Sequence, residues 1–390
     1  MPIVNRVADL QPDIQAWRRD IHENPELLYD VHRTASFVAD RLREFGCDEV
    51  VTGLGQTGVV GVIKGKKAAG NGDIKVIGLR ADMDALPIHE ETNLPYASKT
   101  PGKMHACGHD GHTAMLLGAA RYLAETRNFA GTTVVIFQPA EEGGAGAAAM
   151  IKDGLMDRFG IEQVYGMHNG PGIPIGSFAI RSGPIMAATD EVNISIEGLG
   201  GHAARPHKCI DSVMVGAQLI TALQSVVSRS VDPLDSAVIS ICEFHAGNAR
   251  NVIPQTAELR GTVRTLTPEV RQLIEKRVAE VVKGVALLTG ARIDLNYKRG
   301  YPVTVNHRSQ TEFATRIAKD VAGEANVHEM PPLMGGEDFS YMLEARPGAF
   351  IFCGNGDSAG LHHPAYNFND EAIVYGSSYF VKIVENALAA

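Results

Sequence analysis

The sequence predicts an α/β protein with a mixed, mostly parallel sheet that is interrupted by a second, complete unit. Nearly continuous apolar strands alternate with helices before residue 187 and again after residue 301. Such strands are typical of a parallel sheet that helices cover on both faces. Between these stretches, the predicted elements follow the order β-α-β-β-α-β, which forms a sheet of its own. A length of 390 residues also favours two domains.

The first domain is predicted to be discontinuous and to comprise residues 1–186 and 302–390. An early helix, RTASFVADRLREFG, has an apolar stripe and a glycine, Gly46, at its end. Short β-branched runs bounded by turn residues predict strands. The predicted strands are GVVGVIKG, IKVIGLRADMD and TTVVIFQPAEE. A predicted helix, HTAMLLGAARYLAET, lies between the last two of them. The same style resumes with the helix QTEFATRIAKDVAG, the strand GAFIFCG and a final helix from about Asp370.

Residues 187–301 are predicted to form the inserted unit. Its elements are, in order, DEVNISIEG, DSVMVGAQLITALQSVVSR, SAVISICEFHAG, TAELRGTVRT, TPEVRQLIEKRVAEVVKGVALLTG and ARIDLNYKRG. The first, third, fourth and sixth segments are strand-like, and the other two carry helical apolar stripes. This order is that of the ferredoxin-like unit.

Composition and charge exclude several classes of protein. Lys plus Arg number 36 against 45 for Asp plus Glu, and the net charge of -9 argues against a nucleic-acid partner. No apolar stretch reaches the length of a membrane span, and the N-terminus lacks the apolar core of a signal peptide. The five scattered cysteines do not form a disulfide framework. We therefore expect a cytoplasmic protein with neither a nucleic-acid nor a membrane partner.

The segment MHACGHDGH, residues 104–112, concentrates metal-binding groups. A Cys-x-His pair such as Cys107 and His109 can place a thiolate and an imidazole on one divalent ion. The competing interpretation is a buried free cysteine beside a solvated histidine. Asp110, in the same segment, and Asp82, which ends a predicted strand, are expected to orient metal ligands. His105 and His112 are expected to be packed or solvated.

Further donors occur at other predicted strand ends or in the loops that follow strands. They are Glu141 and Glu142, His168, and one of His362 and His363. Because ligands bind outside the carboxyl ends of strands in open parallel sheets, these donors are expected to meet at one metal site.

The adjacent carboxylates Glu141 and Glu142 suit a hydrolytic site. If one of them binds a metal, the other can take a proton from a water that the metal activates and pass it to a leaving amine. Taken alone, the pair also fits acidic residues at a helix N-terminus, where the helix dipole favours them.

The inserted unit adds three candidates. His202 follows two glycines in GLGGHAARPH, where a plain loop histidine is equally expected. Asn251 and Arg264 lie in the stretch GNARNVIPQTAELRGTVRT. An arginine on a strand can form a fork to a carboxylate, although strand arginines are more often solvated.

Eight motifs, in order along almost the whole chain, resemble the M20 family of metallopeptidases and amidohydrolases. The resemblance is greatest to its subgroup of N-acyl-amino-acid amidohydrolases, which includes hippurate hydrolase and the plant auxin-conjugate hydrolases. The motifs are LRADMDALPI, MHACGHDGHTAMLLG, VVIFQPAEEGGAGA, GMHNGP, GHAARPH, NVIPQTAELRGTVRT, MGGEDFSYML and LHHPAYNFND.

The resemblance implies a catalytic domain that carries two divalent metal ions per subunit and an inserted ferredoxin-like domain for dimerisation or as a lid. It implies a homodimer or a dimer-based tetramer. Cys107 matches the bridging ligand, and Glu141 matches the general base and acid. The other matched positions are His109, Glu142, His168 and His362 as metal ligands, His202 as a catalytic histidine that reaches a neighbouring subunit, and Asn251 and Arg264 for the substrate carboxylate.

One motif departs from the wider family. Many relatives use His-x-Asp to bind metal, whereas this chain has Arg80 and Asp82 at those positions. Cys107 stands at the bridge, and His109 takes the place of the lost ligand, as in the subgroup. The thiolate suits zinc, but the imidazole and carboxylate groups also suit manganese, cobalt and nickel.

The sequence thus predicts a metal-dependent hydrolase that cleaves the amide bond of small N-acyl-L-amino acids. The products would be a carboxylic acid and a free amino acid. Two alternatives stay open: a dipeptidase or aminopeptidase of the same family, and a metal- or ligand-binding protein without catalysis.

Overall fold

The computed structural model describes residues 3–68 and 75–390, which form two compact units. The first unit comprises Met1–Ile185, Val305–Pro331 and Asp338–Ala390. The second comprises Met186–Thr304 and Pro332–Glu337. In the part of the chain that is described, no helix combines the length and the apolar character that crossing a membrane requires.

The first stretch of the chain alternates helices and strands. Its elements are α1 (Asn5–Glu23), α2 (His32–Glu44), β1 (Glu49–Leu54), β2 (Gly58–Lys64), β3 (Val76–Asp82), α3 (His109–Thr126), β4 (Thr132–Gln138), α4 (Gly146–Lys152), α5 (Leu155–Arg158), β5 (Gln163–Pro171), β6 (Phe178–Ile180) and β7 (Gly183–Met186).

The second unit follows in the predicted β-α-β-β-α-β order. Its elements are β8 (Ala188–Glu197), β9 (Gly201–His202), α6 (Ser212–Ser230), β10 (Ala237–Ala246), β11 (Val252–Ile253), β12 (Thr256–Thr265), α7 (Pro268–Thr289) and β13 (Arg292–Arg299). The chain closes with β14 (Thr304–Asn306), α8 (Arg308–Ala322), β15 (Val327–Glu329), α9 (Phe339–Ala345), β16 (Gly348–Gly356) and α10 (Ile373–Ala387).

The main sheet of the first unit has the strand order β1-β2-β4-β3-β5-β16-β6-β15. Its centre is parallel, since β4, β3, β5 and β16 pair in that sense. β1 pairs antiparallel with β2, and β2 with β4. The predicted fold class, a mixed and mostly parallel sheet, is therefore confirmed. Residues along β2, β4 and β5 are buried almost continuously, as expected of strands covered on both faces.

The parallel centre of this sheet decides where side chains meet. The carboxyl ends of β3, β4 and β5 lie at the same edge because the three strands run in one direction. Helix α3 packs against β3 and begins at this edge with His109. This edge is therefore where the sequence predicts the metal donors.

The four-stranded sheet of the second unit is antiparallel, with the order β10-β12-β8-β13. Alternate residues of β8 are buried, and they pack with the apolar stripes of α6 and α7 in one core. Both helices begin at a capping side chain, since Asp211 accepts from the Val213 and Met214 amides and Thr267 accepts from the Val270 amide. The ferredoxin-like topology is confirmed, whereas a lid or dimerisation role for this unit stays a prediction.

Candidate metal centre

Cys107, His109 and His168 form the first group of donors. Their ligand atoms all lie within 4.8 Å of one another, and all three side chains are buried. The Cys107 Sγ is 3.4 Å from the His168 Nε2. Cys107 lies in the loop before α3, and His109 is the first residue of that helix. His168 lies inside β5 rather than at its end, because this strand continues to Pro171.

Cys107, Glu142 and His362 form the second group, with the same 4.8 Å limit between ligand atoms. The His362 Nε2 is 3.3 Å from the Glu142 Oε1. His362 has a φ of +64°, a left-handed conformation that is uncommon for residues with a Cβ and is often retained at functional sites. The Nδ1 of His363 instead accepts a hydrogen bond from the Ala365 amide at 3.0 Å. Of the two adjacent histidines, the structure thus brings His362 to the donors.

The Cys107 sulfur belongs to both groups, which is the arrangement expected of a ligand shared by two cations. Burial and the neighbouring Glu142 and Glu141 carboxylates raise the pKa of the Cys107 thiol well above its usual value. The Nε2 of His109 is buried without a hydrogen-bond partner in residues 3–68 and 75–390. Sulfur, imidazole and carboxylate donors with one buried ring nitrogen unused fit a transition-metal ion such as zinc.

The orientation of His109 is fixed by Asp84, which sequence reasoning missed. The His109 Nδ1 donates to the Asp84 carbonyl oxygen at 2.8 Å, so its Nε2 is the ring nitrogen that faces the donor groups. Burial opposes a charge on this ring, but the Asp82 and Asp84 carboxylates outweigh it and raise the pKa of His109 to about 10. The sequence did offer one indication of Asp84, because it is the third ionisable residue in the otherwise apolar segment LRADMDAL.

Glu141 lies beside the two donor groups that contain Cys107 but belongs to neither of them. Its ligand oxygen falls in a group with His109 and Glu142, and the Glu141 Oε2 is 3.9 Å from the His109 Nε2. Glu142 is in that group and also in one with Cys107. This placement favours Glu142 as the ligand and Glu141 as the carboxylate that exchanges protons.

Asp82 occupies a buried network with Arg80 and His112. One carboxylate oxygen accepts from the His112 Nδ1 at 2.7 Å, and the other accepts from Arg80 at 2.7 Å. The His112 Nε2 accepts from the Asn169 amide at 2.9 Å. Arg80 also donates to Asp338 at 2.9 Å. Arg80, which stands at the position of the lost histidine ligand, thus neutralises the charge of Asp82. The Asp82 Oδ2 lies 3.7 Å from the His109 Nε2.

Gly108 allows the cysteine loop to approach β5. The Asn169 side chain donates to the Cys107 carbonyl oxygen at 2.6 Å and accepts from the Tyr366 hydroxyl at 2.8 Å. A Cβ on Gly108 would lie 2.3 Å from the Asn169 Nδ2, and the glycine has a φ of +89°. Any side chain at this position would therefore displace the segment that carries Cys107.

Asp110 holds a histidine of α1 rather than a donor of the metal groups. Its Oδ2 accepts from the His22 Nδ1 at 2.8 Å and lies 3.4 Å from the Arg18 Nη1. The second ring nitrogen of His22 is 3.3 Å from the Glu90 Oε1. His105 is buried beside this cluster, and burial lowers its pKa to about 3. His105 and His112 were expected to be either packed or solvated, and both are packed in the interior.

The His22 cluster gives the stability of the protein a pH dependence. Burial opposes a charge on His22, but the Asp110 carboxylate outweighs it and raises the pKa of His22 to about 9. The stabilisation is complete below the unfolded-state pKa of about 6.5 and is lost as pH rises through about 9. We expect the free energy of unfolding to fall by on the order of 3 kcal/mol across this window.

Denaturant unfolding of the wild type and His22→Gln at several pH values between 6 and 10 measures this loss. The variant should show a smaller slope, because His109 still titrates in this range, and His32→Gln, which changes an exposed histidine of α2, should retain the wild-type slope. Equal slopes in the wild type and His22→Gln would contradict the assignment.

His202 and Asn251 lie together in the second unit. His202 is in β9 and pairs with Val252 of β11, and the Ala203 amide donates to the Asn251 carbonyl oxygen at 3.1 Å. His202 and Asn251 are both exposed. β9 and β11 form a separate two-stranded sheet, which follows Glu197 of β8 and precedes Thr256 of β12 in the chain.

Arg264 lies toward the other end of the four-stranded sheet. It pairs with Thr189, and it lies eight residues after Thr256 in β12. At about 3.3 Å per residue, this separates Arg264 from the Asn251 end by roughly 25 Å. Burial lowers the pKa of the half-buried Arg264. Asn251 and Arg264 of one chain therefore lie at opposite ends of this sheet, and their assignment to the substrate carboxylate stays a prediction.

The chain is similar to curated proteins over nearly its whole length. The chain is 46% identical over 387 residues to hippurate hydrolase of Campylobacter jejuni, with 98% of each chain covered. It is 41% identical over 378 residues to N-acetyl-L-cysteine deacetylase of Bacillus subtilis, covering 96% of this chain and 88% of that protein.

A solved structure has the same fold. The YXEP protein of Bacillus subtilis, described as a dinuclear metal binding peptidase from the M20 family, superposes with a TM-score of 0.83 at 35% identity, covering 98% of this chain and 99% of that one. Residues 78–386 match the sequence profile of Peptidase family M20/M25/M40. The chain therefore belongs to peptidase family M20/M25/M40.

Proposed function

We propose that this protein is a metal-dependent amidohydrolase that cleaves N-acyl-L-amino acids to a carboxylic acid and a free amino acid. The observation that carries the proposal is one cysteine, Cys107, shared by two donor groups, with Glu141 beside them. The names of the hippurate hydrolase and N-acetyl-L-cysteine deacetylase relatives support an N-acyl amino acid as the substrate.

The proposed ligands divide between two divalent ions. Cys107, His109 and His168 would hold one, and Cys107, Glu142 and His362 would hold the other. Zinc, manganese, cobalt and nickel all suit this donor set. Such ions, when bound, would acidify a water molecule and polarise the scissile carbonyl.

Glu141 carries the proton transfers in the proposed reaction. Its carboxylate takes a proton from the attacking water, whose oxygen forms the new bond to the acyl carbon. Glu141 then returns the proton to the amide nitrogen as the carbon–nitrogen bond breaks. His202 would stabilise the charge that develops on the carbonyl oxygen, and the loss of one such donor costs about 10²–10³ in turnover.

We further propose that the enzyme acts as a homodimer or a dimer-based tetramer in the cytoplasm. Asn251 and Arg264 lie at opposite ends of the second unit's sheet, so a carboxylate that both contact needs two copies of the chain. His202 lies beside Asn251 and would enter the site of its neighbour with it.

Mixing two inactive variants tests the role of His202 across subunits. Glu141→Gln and His202→Ala chains, once exchanged, should form hybrid dimers in which one of the two sites has both residues intact. Random exchange should restore about one quarter of the wild-type rate. Subunit exchange is followed by mass spectrometry of the native dimers. Hybrid dimers without recovered activity would place His202 in the site of its own chain.

A substrate panel tests the function itself. N-acetylmethionine and glycylmethionine share the leaving amino acid and differ at the acyl end by an amine. With the zinc- or manganese-loaded enzyme, we expect N-acetylmethionine and hippurate to be cleaved and glycylmethionine to be cleaved far more slowly. Removal of the metal by a chelator should abolish hydrolysis, and added metal should restore it.

The panel also separates the alternatives. The name of the YXEP protein includes the word peptidase, which favours peptide hydrolysis as the second candidate. Faster cleavage of glycylmethionine than of N-acetylmethionine would establish that candidate. A protein that retains both metals and cleaves none of the panel would be a binding protein.

A further inference from the structure

Asp84 contacts three of the residues that the proposed function needs. Its side chain is buried, and its two carboxylate oxygens accept from the Glu141 amide at 2.9 Å and the Glu142 amide at 3.1 Å. Its carbonyl oxygen accepts from the His109 Nδ1 at 2.8 Å. We propose that Asp84 is a positioning residue. Its carboxylate positions Glu141 and Glu142, and its main-chain carbonyl group positions His109. This inference rests on the proposed metal-dependent function.

The segment that carries Glu141 and Glu142 needs such an anchor. Ala140, just before the pair, has a φ of +55°, a conformation that is costly for a residue with a Cβ. The turn also closes on itself, because the Gly143 amide donates to the Glu141 carbonyl oxygen at 2.7 Å. Charged acceptors form stronger hydrogen bonds to backbone amides than neutral ones do. The Asp84 carboxylate therefore compensates for an unfavourable backbone at the point where the two glutamates emerge.

The two functions of Asp84 can be separated by substitution. In Asp84→Asn, one carboxylate oxygen becomes an amide that donates, so it faces a backbone N–H without accepting from it. The main-chain bond to His109 is unchanged. The carboxylate itself lies farther from His109, with the Asp84 Oδ1 at 3.5 Å from the Nδ1. The substitution should thus loosen Glu141 and Glu142, whereas the main-chain hydrogen bond still orients His109.

The expected result is a selective loss of one ion. The group of Cys107, Glu142 and His362 should lose affinity, whereas the group of Cys107, His109 and His168 should keep it. Partners that orient metal ligands typically contribute 10- to 100-fold in affinity, so we expect the second zinc equivalent to bind about 10-fold or more weakly. kcat should fall with little change in KM, because Glu141 acts on the reacting atoms.

The experiment is a zinc titration of metal-free protein against a competing chelator. Amide hydrogen exchange of the peptide 139–146 in the metal-free protein gives a readout that needs neither metal nor substrate. In Asp84→Asn, this peptide should exchange faster than in the wild type. The matched control is Asp370→Asn, which changes a partly exposed carboxylate of the first unit that pairs with the buried Arg18. That control should lower stability and leave both zinc affinities and the exchange of 139–146 unchanged.

Equal weakening of both zinc equivalents, or unchanged exchange of residues 139–146, would overturn the proposal. Circular dichroism and the thermal midpoint of the metal-free variant show whether it folds. If Asp84→Asn does not fold, Asp84→Glu carries the test, because it keeps the charge and displaces the carboxylate by one methylene. If the wild type cleaved no N-acyl amino acid, the proposed function would be refuted. The zinc titration and the hydrogen exchange would still test the positioning role of Asp84, because neither needs a substrate.

Discussion

Replacing Glu141 with glutamine is expected to lower kcat by about 10²- to 10⁴-fold or more. The amide has the size of the carboxylate but cannot take a proton from water at neutral pH. Metal content should stay near that of the wild type, since Glu141 shares no donor group with Cys107 in the described residues. Hydrolysis of N-acetylmethionine and elemental analysis of the same preparation measure both quantities.

Glu142→Gln is the matched control for this prediction. It changes the neighbouring glutamate, which shares a donor group with Cys107 and His362. This variant should lose metal together with activity. If Glu141→Gln lost metal and Glu142→Gln retained it, the roles of the two carboxylates would be exchanged.

Replacing Cys107 with alanine is expected to remove both ions and all measurable activity. The sulfur is the one donor that the two groups share, so its loss leaves each group with two side chains. A four-coordinate zinc site with three protein ligands becomes much weaker when one is removed. Zinc titration of the metal-free variant, with activity assayed across the titration, measures the effect.

Cys353→Ala provides the control for a buried thiol. Cys353 lies in β16 of the main sheet and is buried, like Cys107, but it belongs to neither donor group. Its replacement should leave metal binding and activity near those of the wild type. An active Cys107→Ala protein that binds two ions would show that the sulfur does not bridge them.

The fold could be predicted because hydrophobic patterning reports burial directly. The β-branched runs of β2 and β4 carry few polar residues, and these strands are buried on both faces. β8, in contrast, alternates between buried and exposed residues, as a strand in a one-sided antiparallel sheet does. The pattern therefore separated the two sheets without any knowledge of strand order.

The candidate site could be predicted only for residues whose side chains are themselves metal ligands or proton acceptors. Cys107, His109 and Glu142 are unusual at the positions they occupy, and the structure brings them together. The role of Asp84 depends on two backbone amides that are 57 and 58 residues away in sequence. The Arg80–Asp338 pair spans 258 residues. Hydrogen bonds across such separations arise from tertiary packing, which a local motif does not encode.

Strand register decides where the two substrate-binding candidates lie. Asn251 and Arg264 both match, by the resemblance, positions that bind the substrate carboxylate, and this role stays a prediction. The ladder between β8 and β12 runs in register from Thr189–Arg264 to Glu197–Thr256, which places the two residues at opposite ends of the sheet. A similar effect placed His168 inside β5, because the length of a strand depends on its neighbours.

The central claim is that the Cys107 sulfur is shared by two ions, and zinc X-ray absorption spectroscopy tests it most directly. In the two donor groups, Cys107 supplies the one sulfur. If it bridges, the average number of sulfur neighbours per zinc should stay at one when the metal content rises from one to two equivalents. A fall to one half at the second equivalent, or no sulfur at either, would contradict the account.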